Sequence, residues 1–392
     1  MTSNPSTPSA TPETKSGRRP RLEGLPSLRG FAAVPVVLFH QLGLLQIKSA
    51  DTAPHWYRAL IEFGHIGLEF FFILSGFVLA YVYAYPDRPF DTKRFWRARF
   101  ARLYPAYLCS LVLLAPVYFW TESQEPTFSL SSMGFKAGLA LLLLHSWVPS
   151  AALAWNFVGW SLSVEAFFYL LIPWLLPMLM RLSKRQLVVM SALLWAVPIV
   201  AGAIYSYFDP SGVHWRTADE VDFPWTHILR YNPLVNFPKF MLGMCAAILF
   251  VDRPREEREH QLATRLIAVG VALCAVGAII RMHVHLAIVE TGLLSPALAL
   301  ITYGFALQPR WAAPLRGPKM DFFGDLSFTV YLFHPVVLVA MFVGFEALRP
   351  LGLVVITLLY LVAVILLAIS VHFVVERPAE RKLRGAPPRP HS

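Results

Sequence analysis

The sequence predicts an all-α, polytopic membrane bundle of about ten spans, with a short re-entrant or interfacial segment near 135–147. Three observations carry this. Of 392 residues, 56% are hydrophobic and only 15% are charged, and the mean hydropathy is +0.53, a composition foreign to a soluble core of this length. Apolar segments of spanning length follow one another along most of the chain. The basic residues fall in short runs between them, which is how membrane proteins encode orientation. That distribution also argues against nucleic acid as the partner for the net charge of +10.

Taken in order, residues 1–24 are rich in Ser, Thr and Pro and have no apolar core. They read as a disordered cytoplasmic tail and not as a cleavable signal peptide. A membrane domain over 25–376 follows, then a basic cytoplasmic tail over 377–392. Spans are expected near 27–46, 65–85, 103–120, 159–180, 187–206, 233–251, 263–281, 285–307, 324–346 and 351–375. Counting the apolar run 135–147 as a span would give eleven and place 181–185 outside. With ten, the inner segments hold 26 of the 34 Lys and Arg residues, as the positive-inside rule expects. Ten spans with both termini inside is therefore preferred, and 135–147 must be buried against protein. The largest outer loop, about 207–231, carries Asp209, Asp219, Glu220 and Asp222. No internal repeat occurs, and no appended soluble domain is expected. Cys109, Cys245 and Cys274 lie in or beside apolar runs without metal-ligand spacing, so neither a disulfide framework nor a metal site is implied.

Arg29 and His40 lie in SLRGFAAVPVVLFHQLGLL, and ionisable groups in such a segment are functional by default. Eleven residues make about three full helical turns, so the two share one face, roughly 16 Å apart along the axis. A cation at the interface and an imidazole deep in the membrane suit a long ligand with an anionic head and a reactive tail. A positive-inside flank and a packed polar residue are the alternative, and spacing alone leaves both open. Glu69 and Glu165 are expected at a similar depth on two other spans. Converging on His40, a carboxylate would orient the imidazole and raise its basicity, making a general base for a hydroxyl. Each could instead cap a helix end or pair with an arginine.

The segment KRFWRARFARLYP, 93–105, is the densest basic cluster. It reads either as a cytoplasmic anchor with an aromatic belt or as a clamp for phosphates. Arg99 and Arg102 share a helix face. Ser75 and Gly76 allow close helix packing; Ser75 has no nucleophile signature. Tyr331 and His334 share a face in SFTVYLFHP, and Glu376 and Arg377 close the last span in VVERP. Nucleotide-loop, dinucleotide and zinc-protease motifs do not occur.

Together, LEGLPSLRGFAAVPVVLFH, GLEFFFILSGF, RARFARLYP, WSLSVEAFFYL, YLFHP and VVERP resemble, in order, the segments of the membrane-bound acyltransferase family 3, bacterial O-acyltransferases. The resemblance covers roughly 24–380. The chain departs from it in carrying Ala166 where many members have a second acid after Glu165, Glu69 where Asp is frequent, and no esterase-like domain. It resembles the stand-alone subgroup, which acylates sugars of lipid-linked or exported glycans, or glycosylated small molecules. The resemblance implies acyl-CoA, with acetyl-CoA the expected donor, and no metal. It implies phosphates at Arg29, Arg99 and Arg102, His40 as general base, and Glu165 as its orienting group. Glu69, Ser75, Trp160, Tyr331 and His334 would line the cavity. A covalent acyl-His40 intermediate stays open. The expected location is the bacterial inner membrane, and the acceptor a carbohydrate or glycosylated small molecule. A flippase for a lipid-linked sugar, with His40 and Glu165 relaying protons, is the rival function, though it would not explain Arg29 in phase with His40. A scaffold would need neither buried acids nor an anion clamp.

Overall fold

The computed structural model describes residues 19–49, 64, 66–85, 89–126, 128–208, 224–253, 259–280 and 284–384. Among them nine helices are long and apolar enough to cross a membrane, one for each expected span after the first. The first is α1, Leu25–Ser49. Next come α2 (Ile66–Tyr83), α3 (Thr92–Gln124), α4 (Leu130–Leu141), α5 (Trp160–Leu179) and α6 (Lys184–Phe208). Then α7 (Pro224–Tyr231), α8 (Pro233–Val251), α9 (Glu259–Ile280), α10 (Leu286–Glu290) and α11 (Ser295–Ala306) follow. The last are α12 (Pro318–Val343), α13 (Gly352–Val371) and α14 (Arg377–Arg384). No strand occurs among the described residues. The acidic outer-loop positions Asp209, Asp219, Glu220 and Asp222 lie outside them.

Side chains that a soluble protein would hide face outward on α6 and α13, among them Val188, Val197, Val354, Leu358 and Leu366. That is the surface a bilayer covers. Inside, the helices meet where small residues let backbones approach. A Cβ on Gly76 of α2 would overlap the Phe240 carbonyl of α8, and one on Gly243 of α8 would overlap the Ile73 carbonyl of α2. This crossing sets Glu69 on α2 opposite Lys239 on α8. Gly324 likewise admits the Pro26 backbone and seats α12 along α1. Phe323 packs on Phe31 there. Eleven residues beyond Phe323 comes His334, and ten beyond Gly30 comes His40, so the shared rise brings the two imidazoles level.

The 135–147 run does not span: α4 has 12 residues, about 18 Å of helix against a core of about 30 Å. After α4 the chain turns inward through two 3₁₀ turns, His145–Trp147 and Pro149–Ala151. His145, Ala152, Asn156 and Val158 are buried. The Asn156 amide donates to Ser110 Oγ at 3.0 Å and the Leu332 carbonyl at 3.2 Å, fixing this segment to α3 and α12.

Arg19, expected in a disordered tail, donates to the Tyr81 carbonyl at 2.6 Å and to the Ala84 carbonyl, and Tyr81 donates to the Pro20 carbonyl at 2.8 Å. A guanidinium can satisfy the carbonyls that end α2, which have no intrahelical partner. At the other end, residues 377–384 form α14, joined to α13 by a π-helical turn, His372–Glu376.

Candidate active site

Two cavities lie along the bundle and share the wall formed by Leu68, Phe72 and Tyr331. The larger, of about 180 Å³, is lined by His40, Glu69, Trp160, Arg230, Lys239 and Glu290 among others. The smaller, of about 70 Å³, is lined by Arg29, Arg99, Arg102, Ser161, Glu165 and Tyr169 among others. Arg29 and His40 thus sit on one helix with one cavity each, roughly 16 Å apart along α1.

In the larger cavity His40 contacts His334: His334 Nε2 lies 3.1 Å from His40 Nδ1. Phe39 and Phe157 meet the His40 ring edge-on. Opposite lies a network of ionisable groups. Lys239 Nζ donates to Asn236 Oδ1 at 2.9 Å and to the Glu290 carbonyl at 2.8 Å. Arg230 pairs with Glu290 at 2.8 Å. Ser295 Oγ donates to Glu69 Oε1. Two cations and two carboxylates balance one another, which makes their burial tolerable. Trp160 and Tyr231, with ring centres 4.8 Å apart, add an aromatic corner.

The smaller cavity carries unpartnered cationic donors. Arg29 Nε and Arg99 Nε are buried without a hydrogen-bond partner among the described residues, and a buried donor left unpaired is costly. Two forked guanidiniums facing one space suit phosphate oxygens. Glu165 lies within electrostatic reach of Arg29, Arg99 and Arg102, and the Tyr169 hydroxyl faces it. It makes no direct ion pair among the described residues. Arg102 differs from the other two arginines: it pairs with Glu376 and, at 3.4 Å, with Glu380, and it donates to the Asp325 carbonyl at 3.3 Å. His372 Nδ1 meets the other Glu376 oxygen at 2.7 Å.

Several expected positions therefore change. Glu165 does not join His40; it belongs to the arginine cavity. The partly buried 142–159 segment leads into Trp160, which is itself buried, so Ser161, Glu165 and Tyr169, four apart on one face, run on toward the arginines. Arg102 lines the arginine cavity, but its charge is committed to carboxylates. Ser75 lines neither cavity; it is buried behind Tyr169, 3.5 Å from that hydroxyl. His334 lines neither cavity and is packed behind His40. Glu69 and Trp160 line the larger cavity and Tyr331 lines both. Arg230, Asn236, Lys239 and Glu290 were missed. The signal for Lys239 was available: it is an ionisable residue in the apolar run LVNFPKFML. No group of three or more His, Cys, Asp or Glu that could hold a metal occurs among the described residues.

Fold and site together define a polytopic membrane protein with a histidine in one internal cavity and arginines in the next. A family model described as an acyltransferase domain matches residues 22–373, and the chain belongs to that family, acyltransferase family 3. It is a multi-pass membrane acyltransferase. The chain is 28% identical to the acyltransferase MdmB of Streptomyces mycarofaciens over 81% of this chain and 80% of that protein. It is 27% identical to BcsY of Komagataeibacter xylinus, named as a membrane-bound transacylase, over 83% of this chain and 75% of that one. A shorter match, 25% identical, covers 42% of this chain and 26% of the O-acetyltransferase OatA of Staphylococcus aureus. No solved structure matches.

Proposed function

We propose that this enzyme moves an acyl group, acetyl in the first instance, from acyl-CoA to a hydroxyl of a carbohydrate or glycosylated small molecule. One juxtaposition carries the proposal. Two arginines with unpartnered buried nitrogens face one cavity, and a histidine faces the next, across a shared wall and roughly one pantetheine length away. Arg29 and Arg99 hold the phosphates of the donor, and Arg102 holds the cavity wall through Glu376. The thioester reaches the larger cavity. His40 takes the proton from the acceptor hydroxyl as its oxygen attacks the thioester carbonyl. The tetrahedral intermediate then expels the coenzyme A sulfur, which receives that proton. Glu165 stays on the donor side, where a carboxylate among three arginines limits their mutual repulsion.

The acceptor occupies the larger cavity. Its charge-balanced polar wall and the Trp160–Tyr231 corner suit a neutral ring bearing many hydroxyls. The name of OatA, an O-acetyltransferase, supports acetyl transfer to an oxygen. The arginine cavity faces the cytoplasm of a bacterial inner membrane, both termini lie on that side, and the donor enters there. Titration calorimetry of acetyl-CoA into the purified protein tests the donor: Arg29→Gln with Arg99→Gln is expected to abolish measurable binding. Unchanged binding would overturn the donor site. Comparing a deletion strain with its parent by mass spectrometry of glycans and secreted metabolites tests the acceptor, with loss of one acetyl group from a sugar expected.

A further inference from the structure

We infer that His334 is a positioning residue: through a proline-freed carbonyl it holds His40 in the Nδ1–H form, leaving Nε2 of His40 as the base. The inference rests on the proposed role of His40 in transfer, but the tautomer it assigns can be measured without any substrate.

The chain of contacts runs outward from α12. Pro335 lies inside that helix. A proline has no N–H, so the carbonyl four residues earlier loses its intrahelical partner. That carbonyl belongs to Tyr331, and His334 Nδ1 lies 2.6 Å from it. A carbonyl oxygen only accepts, so His334 Nδ1 carries the hydrogen and donates. A neutral imidazole has one N–H, so His334 Nε2 bears a lone pair. It faces His40 Nδ1 at 3.1 Å. His40 Nδ1 must then carry its own hydrogen and donate to His334. The ring centres are 5.0 Å apart with planes 25° from parallel, wider than face-on contact and suited to a hydrogen bond between facing nitrogens. His334 is 0% exposed, and a second charge placed there beside His40 would be costly, which favours its neutral form.

Free neutral imidazole favours the opposite tautomer, with the hydrogen on Nε2, which cannot accept a proton there. The arrangement therefore selects the less favoured form; the Val36 carbonyl, one turn back on α1, lies within reach of the His40 ring as a second acceptor. Taking the acceptor proton at Nε2 gives imidazolium whose Nδ1–H still donates to His334, so the relay holds before and after transfer without a carboxylate. This is the part expected of Glu165, filled by a neutral group suited to a low-dielectric site. The dipeptide His334–Pro335 supplies the ring and, through the missing proline N–H, frees the Tyr331 carbonyl it needs.

The test is nitrogen NMR of the enzyme labelled with ¹⁵N-histidine in lipid nanodiscs, without donor or acceptor, with the His40 resonances assigned by their loss in His40→Gln. The wild type is expected to show His40 protonated at Nδ1 and bare at Nε2. His334→Phe should move the hydrogen to Nε2. Pro335→Ala, which returns an N–H to the Tyr331 carbonyl, should give a mixture of the two forms. In acetyl transfer, His334→Phe should lower kcat by at least about tenfold with acetyl-CoA affinity kept, and His334→Gln, whose amide oxygen can accept from His40, should recover most of it. His40 protonated at Nε2 in the wild type would overturn the inference. So would an unchanged His40 tautomer in both the His334→Phe and Pro335→Ala proteins. A correct tautomer in a protein that neither binds nor turns over acyl-CoA would instead count against the proposed reaction alone.

Discussion

At His40 an alanine removes the base and leaves untouched every residue assigned to the donor phosphates. Turnover of His40→Ala is expected to fall by about 10²-fold or more while acetyl-CoA affinity stays within about twofold of wild type. A variant keeping a tenth of wild-type turnover would remove His40 from the chemistry. The arginines should divide differently from their shared helix face. Arg99→Gln should weaken donor binding, with little dependence on added salt because the site is internal. Arg102→Gln should act first on stability. Its side chain is 20% exposed, its partner Glu376 is 1% exposed, and stripping a buried carboxylate of its partner costs on the order of 3 kcal/mol. Thermal unfolding in detergent separates the two effects; equal stability with lost binding in Arg102→Gln would restore it to the donor site. At this scale the sequence showed Arg29 and His40 plainly, because an ionisable group in an apolar run stands out. It did not show His334 as the partner of His40, since 294 residues separate them and only the α1–α12 packing brings them together.

The helices act as rulers. Inserting one residue between Ala32 and Ala33 turns His40 by about 100° relative to Arg29, and inserting four restores the phase but adds about 6 Å. Both insertions are expected to abolish transfer, the first by orientation and the second by reach. Full activity in the first, with the protein folded, would show that Arg29 and His40 do not serve a single extended ligand. The α2–α8 crossing is the other element on which the site depends. Gly243→Val would push α8 off the Ile73 backbone and separate Lys239 from Glu69, so activity should fall together with thermal stability. Helix existence and order were legible from the apolar runs alone. Helix depth was not. Counting turns from an assumed membrane surface needs a marker, which the basic flank before α1 supplies. None precedes α5, where an irregular, only partly buried segment leads into the helix, and Glu165 lines the arginine cavity and not that of His40.

For the whole molecule, the charge pattern and the shortness of α4 argue for the same ten-span arrangement. With Cys109, Cys245 and Cys274 replaced, Ser123→Cys should be labelled by an impermeant maleimide from outside intact cells, and Ser183→Cys should not. Labelling at 183 would restore the eleven-span alternative. The central claim is that one acyl donor spans both cavities, with its head at Arg29 and its thioester at His40. A short-chain acyl-CoA carrying a diazirine on the acyl group tests it most directly, by irradiation of the purified enzyme and peptide mass spectrometry. Crosslinks should fall on the walls of the larger cavity, at Phe39, Leu153 or Phe157, and be lost in Arg29→Gln/Arg99→Gln. Crosslinks confined to the smaller cavity or to the cytoplasmic loops would contradict it.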